Sequence, residues 1–176
     1  YAAGAVQPGD EDDYFQSSLF TIARRRILWL LILVLANGLT TKVIAMNDQI
    51  LKEIVLLAAF IPLLIGTGGN VGAQSSTVVI RGLSTQKLKS LGAVKAVVKE
   101  AITGALLGVL MMLVVFPFAW WQGEGPLIAS AVGISLISIT TLAATTGAIL
   151  PLLFDKMRLD PALMSSPFIT TVTDIA

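Results

Sequence analysis

Four long stretches of this sequence are apolar and almost free of charge. They run over Ile27–Met46, which contains only Lys42, and over Ile54–Ile80, Ala101–Trp121 and Pro126–Phe154, which contain no charged residue. A helix needs about 20 apolar residues to cross the hydrocarbon of a bilayer, and each stretch reaches that length. The pattern therefore predicts an all-α membrane protein with complete spans at about 27–46, 54–82, 97–121 and 127–154.

The ends of the sequence predict a piece of a longer protein. A fifth apolar stretch opens at Pro161, but the chain stops at Ala176, so 161–176 is expected to be part of a fifth span. The first 26 residues are more polar and end in three arginines. We therefore divide the chain into a cytoplasmic tail with an amphipathic connecting helix (1–26) and a transmembrane domain (27–176).

Composition excludes several classes of function. The 12 basic residues are balanced by 11 acidic ones, so the chain has no basic excess for binding nucleic acid. It contains no histidine and no cysteine, which excludes the usual zinc, haem and iron–sulfur sites and catalysis by those side chains. The chain is predicted not to be an enzyme.

Basic residues are concentrated on one side of the predicted membrane. They precede the first span, lie between the second and third spans, and lie between the fourth and fifth, at 24–26, 81–99 and 156–158. The opposite side carries only Lys42 and Lys52. The positive-inside rule then predicts a multi-pass protein of the plasma or inner cell membrane, surrounded by lipid, with a cytoplasmic N-terminus.

Asp174 is the acidic residue predicted to lie deepest in the membrane. It follows Asp160 by 14 residues, which is about 21 Å of helix. An ionisable side chain at that depth costs roughly 3 kcal/mol and usually faces a bundle interior or an ion path. Ser166, Thr170 and Thr173 share its side of the helix, so this polar stripe predicts a pore lining. Alternatively, the hydroxyls bond to carbonyls of their own helix or to neighbouring helices.

The second span contains a glycine-rich segment, Gly66–Thr77. Glycine in a membrane helix either lets another helix approach closely or leaves backbone carbonyls open to a cavity, and the sequence leaves both roles open. Gly104 and Gly108, four residues apart in the third span, predict close packing. The serines and threonines of the fourth span predict hydrogen bonds between helices, with the lining of a path as the alternative; they are Ser135, Ser138, Thr140, Thr141, Thr145 and Thr146.

Three segments resemble the transmembrane domain of the MgtE magnesium channel family. These are Pro62–Arg81, which contains the sequence GTGGNVGAQSS, then Gly147–Phe154 and Asp160–Asp174. The resemblance covers about Tyr14–Ala176. It implies a homodimer with a bundle of five transmembrane helices per subunit, the fifth incomplete in this chain. A Mg²⁺ pore would lie on the two-fold axis, lined by the second and fifth spans and regulated by cytoplasmic CBS-type domains.

The resemblance also implies a set of residues that hold the transported ion. Asp174 matches the selectivity aspartate of the family, and Gly66 and Gly69 match glycines whose carbonyls face the hydrated ion. Ser166 and Thr170 replace the more familiar Asn and Ala at neighbouring positions, and Asp160 matches an aspartate at the inner mouth. The implied function is selective transport of Mg²⁺, and of other divalent cations, for uptake and homeostasis.

Other functions remain open on the sequence alone. In a secondary transporter or cation-coupled Mg²⁺ exchanger, Asp174 would bind the coupling ion and alternating access would replace a continuous pore. An intramembrane aspartyl protease needs two opposed carboxylates, and one chain supplies a single one at this depth. A membrane anchor for regulatory domains would not explain the polar stripe.

Overall fold

The computed structural model describes residues 19–46, 55–85, 88, 92–122, 125–158, 161, 169 and 171–172. These residues form four long helices: α1 (Leu19–Met46), α2 (Val55–Ser84), α3 (Ala93–Trp121) and α4 (Gly125–Lys156). Four residues of the last segment also have helical backbone: Pro161, Ile169, Thr171 and Val172. The all-α prediction is confirmed, and each of the four predicted complete spans falls on a helix.

Three of the described helices, α2, α3 and α4, are long and apolar enough to cross a membrane. α1 is not counted among these three helices, and many of its side chains lie outside the described residues. Its side chains at Val34 and Leu35 are 64% and 77% exposed, and it packs along none of the other described helices to any extent. A membrane crossing by α1, and the fifth span, stay predictions.

The hairpin of α3 and α4 is held together by glycines. A Cβ atom at Gly104 would lie 2.6 Å from Cβ of Ala144, and one at Gly108 would lie 2.5 Å from Cα of Ile137. Separations this short leave no room for any side chain, so the two backbones approach at the predicted packing pair. Gly125, with φ of 75°, begins α4 in a conformation that other residues adopt at a cost.

Helix α2 packs along the other side of α4 and runs in the same direction. Gly72 and Gly147 meet where the two helices cross, since a Cβ at Gly147 would collide with the carbonyl oxygen of Gly72. Phe60 lies nearer the start of α2, in one buried cluster with Val132 of α4 and Val115 of α3. α4 is therefore the central helix of this group, with α2 and α3 on its two sides.

Four hydroxyl groups of α4 form hydrogen bonds within their own helix and not between helices. Ser138, Thr140, Thr141 and Thr145 donate hydrogen bonds of 2.6–3.0 Å to carbonyl oxygens four residues earlier in the same helix. The prediction of hydrogen bonds between helices is wrong for these four residues. A hydroxyl that bonds to its own helix needs no neighbour, so it is satisfied wherever the helix packs.

Candidate ion path

Helix α2 has two faces of opposite character. One face is buried and includes Gly68, Val71, Ser75 and Val79. The opposite face is exposed in the single chain and carries Gly66, Asn70, Ala73 and Thr77, which recur at the spacing of one helix face. A span in lipid would normally present large apolar side chains on an unpartnered face. Small and polar residues there indicate a surface that faces something other than lipid.

The glycines of α2 divide between the two roles that the sequence left open. A Cβ added at Gly66 or Gly69 would meet nothing within 4 Å, so both positions border open space. Gly72, in contrast, is buried, and a Cβ there would lie 3.3 Å from the carbonyl oxygen of Ala143. Gly72 therefore serves packing, whereas Gly66 and Gly69 leave the helix surface accessible.

The backbone at Gly66 and Gly69 can offer oxygen to a hydrated ion. A carbonyl oxygen has two lone pairs, and the helical hydrogen bond uses one of them. Without a side chain beside it, the carbonyl can be approached closely by an ion with its water shell. This arrangement suits a cation that keeps its water, and it requires no unwinding of α2, which is continuous from Val55 to Ser84.

Asn70 and Thr77 belong to the same open face, although they are not among the site residues predicted from the sequence. Asn70 lies one turn after Gly66 and is exposed, and the Thr77 hydroxyl donates a 2.8 Å hydrogen bond to the carbonyl oxygen of Ala73. The Asn70 amide oxygen and the remaining lone pairs of the Thr77 hydroxyl can accept hydrogen bonds from water. The signal was present in the spacing 66, 70, 73, 77, which marks one face of a helix.

The last segment of the chain reaches α2 at its packing glycine. Ile169 is 1% exposed, and a Cβ at Gly72 would collide with its side chain. The second and fifth apolar stretches are thus neighbours in the fold. Four of the predicted site residues lie outside the described residues: Asp160, Ser166, Thr170 and Asp174.

The described part of this site offers only uncharged oxygen atoms to a cation. Among residues that the structure describes, no group of three or more acidic side chains could hold a metal ion. Carbonyl, amide and hydroxyl oxygens along α2 suit weak contact with a passing cation better than tight binding of a resident one.

The sequence matches a known family over most of the chain. The family model MgtE, described as a divalent cation transporter, matches residues 61–176, which include the whole open face of α2. The chain belongs to the MgtE family. Its predicted membership is confirmed.

Curated MgtE relatives come from several bacteria. The magnesium transporter MgtE of Thermus thermophilus is 37% identical over 150 residues, which cover 85% of this chain and 33% of the relative. That of Bacillus subtilis is 34% identical over 166 residues, covering 94% and 37%. That of Enterococcus faecalis is 34% identical over 157 residues, covering 87% and 34%. The chain thus spans about a third of the length of these MgtE proteins.

Proposed function

We propose that the chain forms the ion path of a Mg²⁺ channel that mediates magnesium uptake. The observation that carries this proposal is the open face of α2, where Gly66, Asn70, Ala73 and Thr77 lie on a helix that is long enough to cross the membrane. Mg²⁺ sheds its water reluctantly, so a pore can select it by holding the hydrated ion through oxygen contacts. MgtE relatives named as magnesium transporters support the choice of ion.

The proposed pore needs the fifth helix opposite α2. Ile169 packs at Gly72, and the fifth helix, which follows α4, is expected to run antiparallel to α2. From Ile169 to Asp174 a helix advances about 7.5 Å, which reaches the level of Thr67 on α2. In this register Asp174 would be at the height of Gly66–Gly69. A carboxylate and two open glycines would then surround the same level of the path.

A second copy of the chain completes the proposed site. A single carboxylate carries one negative charge, which does not balance the two positive charges of Mg²⁺. A two-fold axis would bring two Asp174 side chains to one hydrated ion. The homodimer would contain five transmembrane helices per subunit, with the pore on the axis. Ser166 and Thr170 would bind the water shell beside Asp174, and Asp160 would attract ions at the inner mouth.

Liposome flux tests the proposed function. Reconstituted chain is expected to carry Mg²⁺ down its gradient, measured with an enclosed fluorescent indicator, and to give unitary currents in planar bilayers. Empty liposomes are the control. Flux without unitary currents, and with strict dependence on a counter-gradient of Na⁺ or H⁺, would favour the alternative of a cation-coupled exchanger that uses Asp174 as its coupling site.

The proposed location is the plasma or inner cell membrane with the N-terminus inside. Trp120 and Trp121 at the end of α3 are 58% and 84% exposed, as expected for an aromatic belt at the outer interface. Anionic and zwitterionic lipid would surround the helices. In a longer protein, cytoplasmic CBS-type domains would attach on the inner side and regulate the pore.

The orientation can be measured with single cysteines, because these 176 residues contain none. We expect a membrane-impermeant maleimide to label Gln122→Cys in intact cells, and to label Ser84→Cys only after permeabilisation. The cysteine-free parent chain controls for background labelling. The reverse pattern would place the N-terminus outside and contradict the charge rule.

A further inference from the structure

A hydrogen bond between side chains joins α2 to α3. Ser75 Oγ donates to Oε2 of Glu100 at 2.8 Å, and the Ser75 side chain is buried, with 4% of it exposed. The hydroxyls of Thr77 and Thr103, on the same two helices, donate to carbonyl oxygens of their own helix. The bond between Ser75 and Glu100 therefore connects two helices, whereas the hydroxyl bonds of Thr77 and Thr103 connect residues of a single helix.

This bond lies on the side of α2 opposite the open face. Ser75 follows Gly66 by nine residues, which turns a helix through about 180°. α2 and α3 both pack along α4 and touch each other little. The rotation of α2 about its own axis is thus held by its packing against α4, at the crossing of Gly72 with Gly147 and in the buried cluster around Phe60, and by the bond from Ser75 to Glu100.

Glu100 lies where a charged carboxylate loses part of its hydration. It is half-buried, seven residues into α3, and immediately precedes the uncharged stretch that begins at Ala101. A charged group at the edge of the hydrocarbon loses part of its hydration and needs a compensating partner. The Ser75 hydroxyl supplies one, in a hydrogen bond that the carboxylate strengthens.

We propose that Ser75 and Glu100 are a positioning pair that sets the direction in which the open face of α2 points. Glu100 acts through Ser75 and not by touching the ion, because it is on α3 behind the buried side of α2. Breaking the bond would remove a side-chain hydrogen bond between α2 and α3, and α2 would turn slightly on its apolar and glycine contacts with α4. Gly66 and Gly69 would then leave their place beside the path. This role rests on the proposed transport function.

A double-mutant cycle in thermal stability tests the link without any ion. Ser75→Ala and Glu100→Ala are each expected to lower the melting temperature of the detergent-purified chain by a few degrees. The double variant should lose no more than the larger single loss, because both changes remove one bond. Ser138→Ala, which removes an exposed hydroxyl bonded to its own helix, is the matched control and should change little.

Flux of Mg²⁺ tests the positioning role. Ser75→Ala and Glu100→Ala are expected to lower the flux roughly tenfold to hundredfold, as the loss of one charge-assisted hydrogen bond implies. Glu100→Gln keeps an oxygen that can accept from Ser75 and should restore most of the flux. A residue that merely stabilised the fold would lower the yield of protein but leave the flux per folded molecule unchanged.

Three results would overturn the proposal. Additive losses of melting temperature would show that the two side chains do not act through a common bond. Equal loss of flux in Glu100→Gln and Glu100→Ala would show that Glu100 acts through its charge. Wild-type flux in both alanine variants would show that the bond does not position the path. The stability cycle is measured without Mg²⁺, so it decides the link even if the chain proves not to carry that ion.

Discussion

Replacing Asp174 with alanine is expected to lower Mg²⁺ flux roughly hundredfold or more. Two carboxylates facing one hydrated ion make charge-assisted hydrogen bonds to its water, each worth about 1.5–3 kcal/mol, and the substitution removes both in a homodimer. Asp174→Asn should also lose flux and preference for Mg²⁺, because the amide keeps the size of the side chain but not its charge. Initial rates in liposomes, with Mg²⁺ and Ca²⁺ compared, measure the effect.

The control for this prediction is Asp155→Asn. Asp155 is exposed near the C-terminal end of α4 and does not belong to the open face of α2, and its replacement should leave the flux near the wild-type rate. Unchanged flux in the Asp174 variants would contradict the proposed pore. The selectivity site would then have to lie on α2 itself, at Gly66, Gly69 and Asn70.

Replacing Gly147 with valine is expected to disrupt the bundle. A Cβ at this position would collide with the carbonyl oxygen of Gly72 and would lie 3.1 Å from its carbonyl carbon. These are backbone atoms, which cannot rotate out of the way, so α2 and α4 must separate along their length. Overpacking of this kind costs about 1–3 kcal/mol, and a clash of backbones belongs at the upper end. The melting temperature and the yield of monodisperse protein report the loss.

Gly66→Val is the matched control on the same pair of helices. A Cβ at Gly66 meets nothing within 4 Å, so the variant should fold with nearly the stability of the wild type. Its flux should nevertheless fall, because the side chain would cover the carbonyl that faces the path. If Gly147→Val melted like Gly66→Val, the close crossing of α2 and α4 would be contradicted.

The sequence was sufficient to predict the helices because their signal is local. Membrane-length runs of apolar residues require helical backbone throughout, since lipid offers no partner for peptide groups. The spacing of Gly104 and Gly108 also predicted close packing, and the hairpin of α3 and α4 uses both residues. The motif at Gly66–Thr77 was enough to suggest the family, and the match over 61–176 confirmed it.

The roles of individual side chains were less predictable. The hydroxyls of Thr140 and Thr141 were expected to join helices, yet they bond within α4. Ser75 was unremarked in the glycine-rich segment, yet it bonds to a carboxylate on α3. A hydroxyl has a satisfactory partner four residues back in its own helix, so its residue type does not reveal which bond it makes.

The sequence by itself determined where the long apolar helices of the described chain lie and where glycines fall within them, because those properties depend on residues close together in the chain. Only the tertiary structure decided that Gly72 packs against α4 while Gly66 and Gly69 remain open. The reason is that glycines three residues apart turn successively around the helix axis, and the position of the neighbouring helices decides which of them is covered.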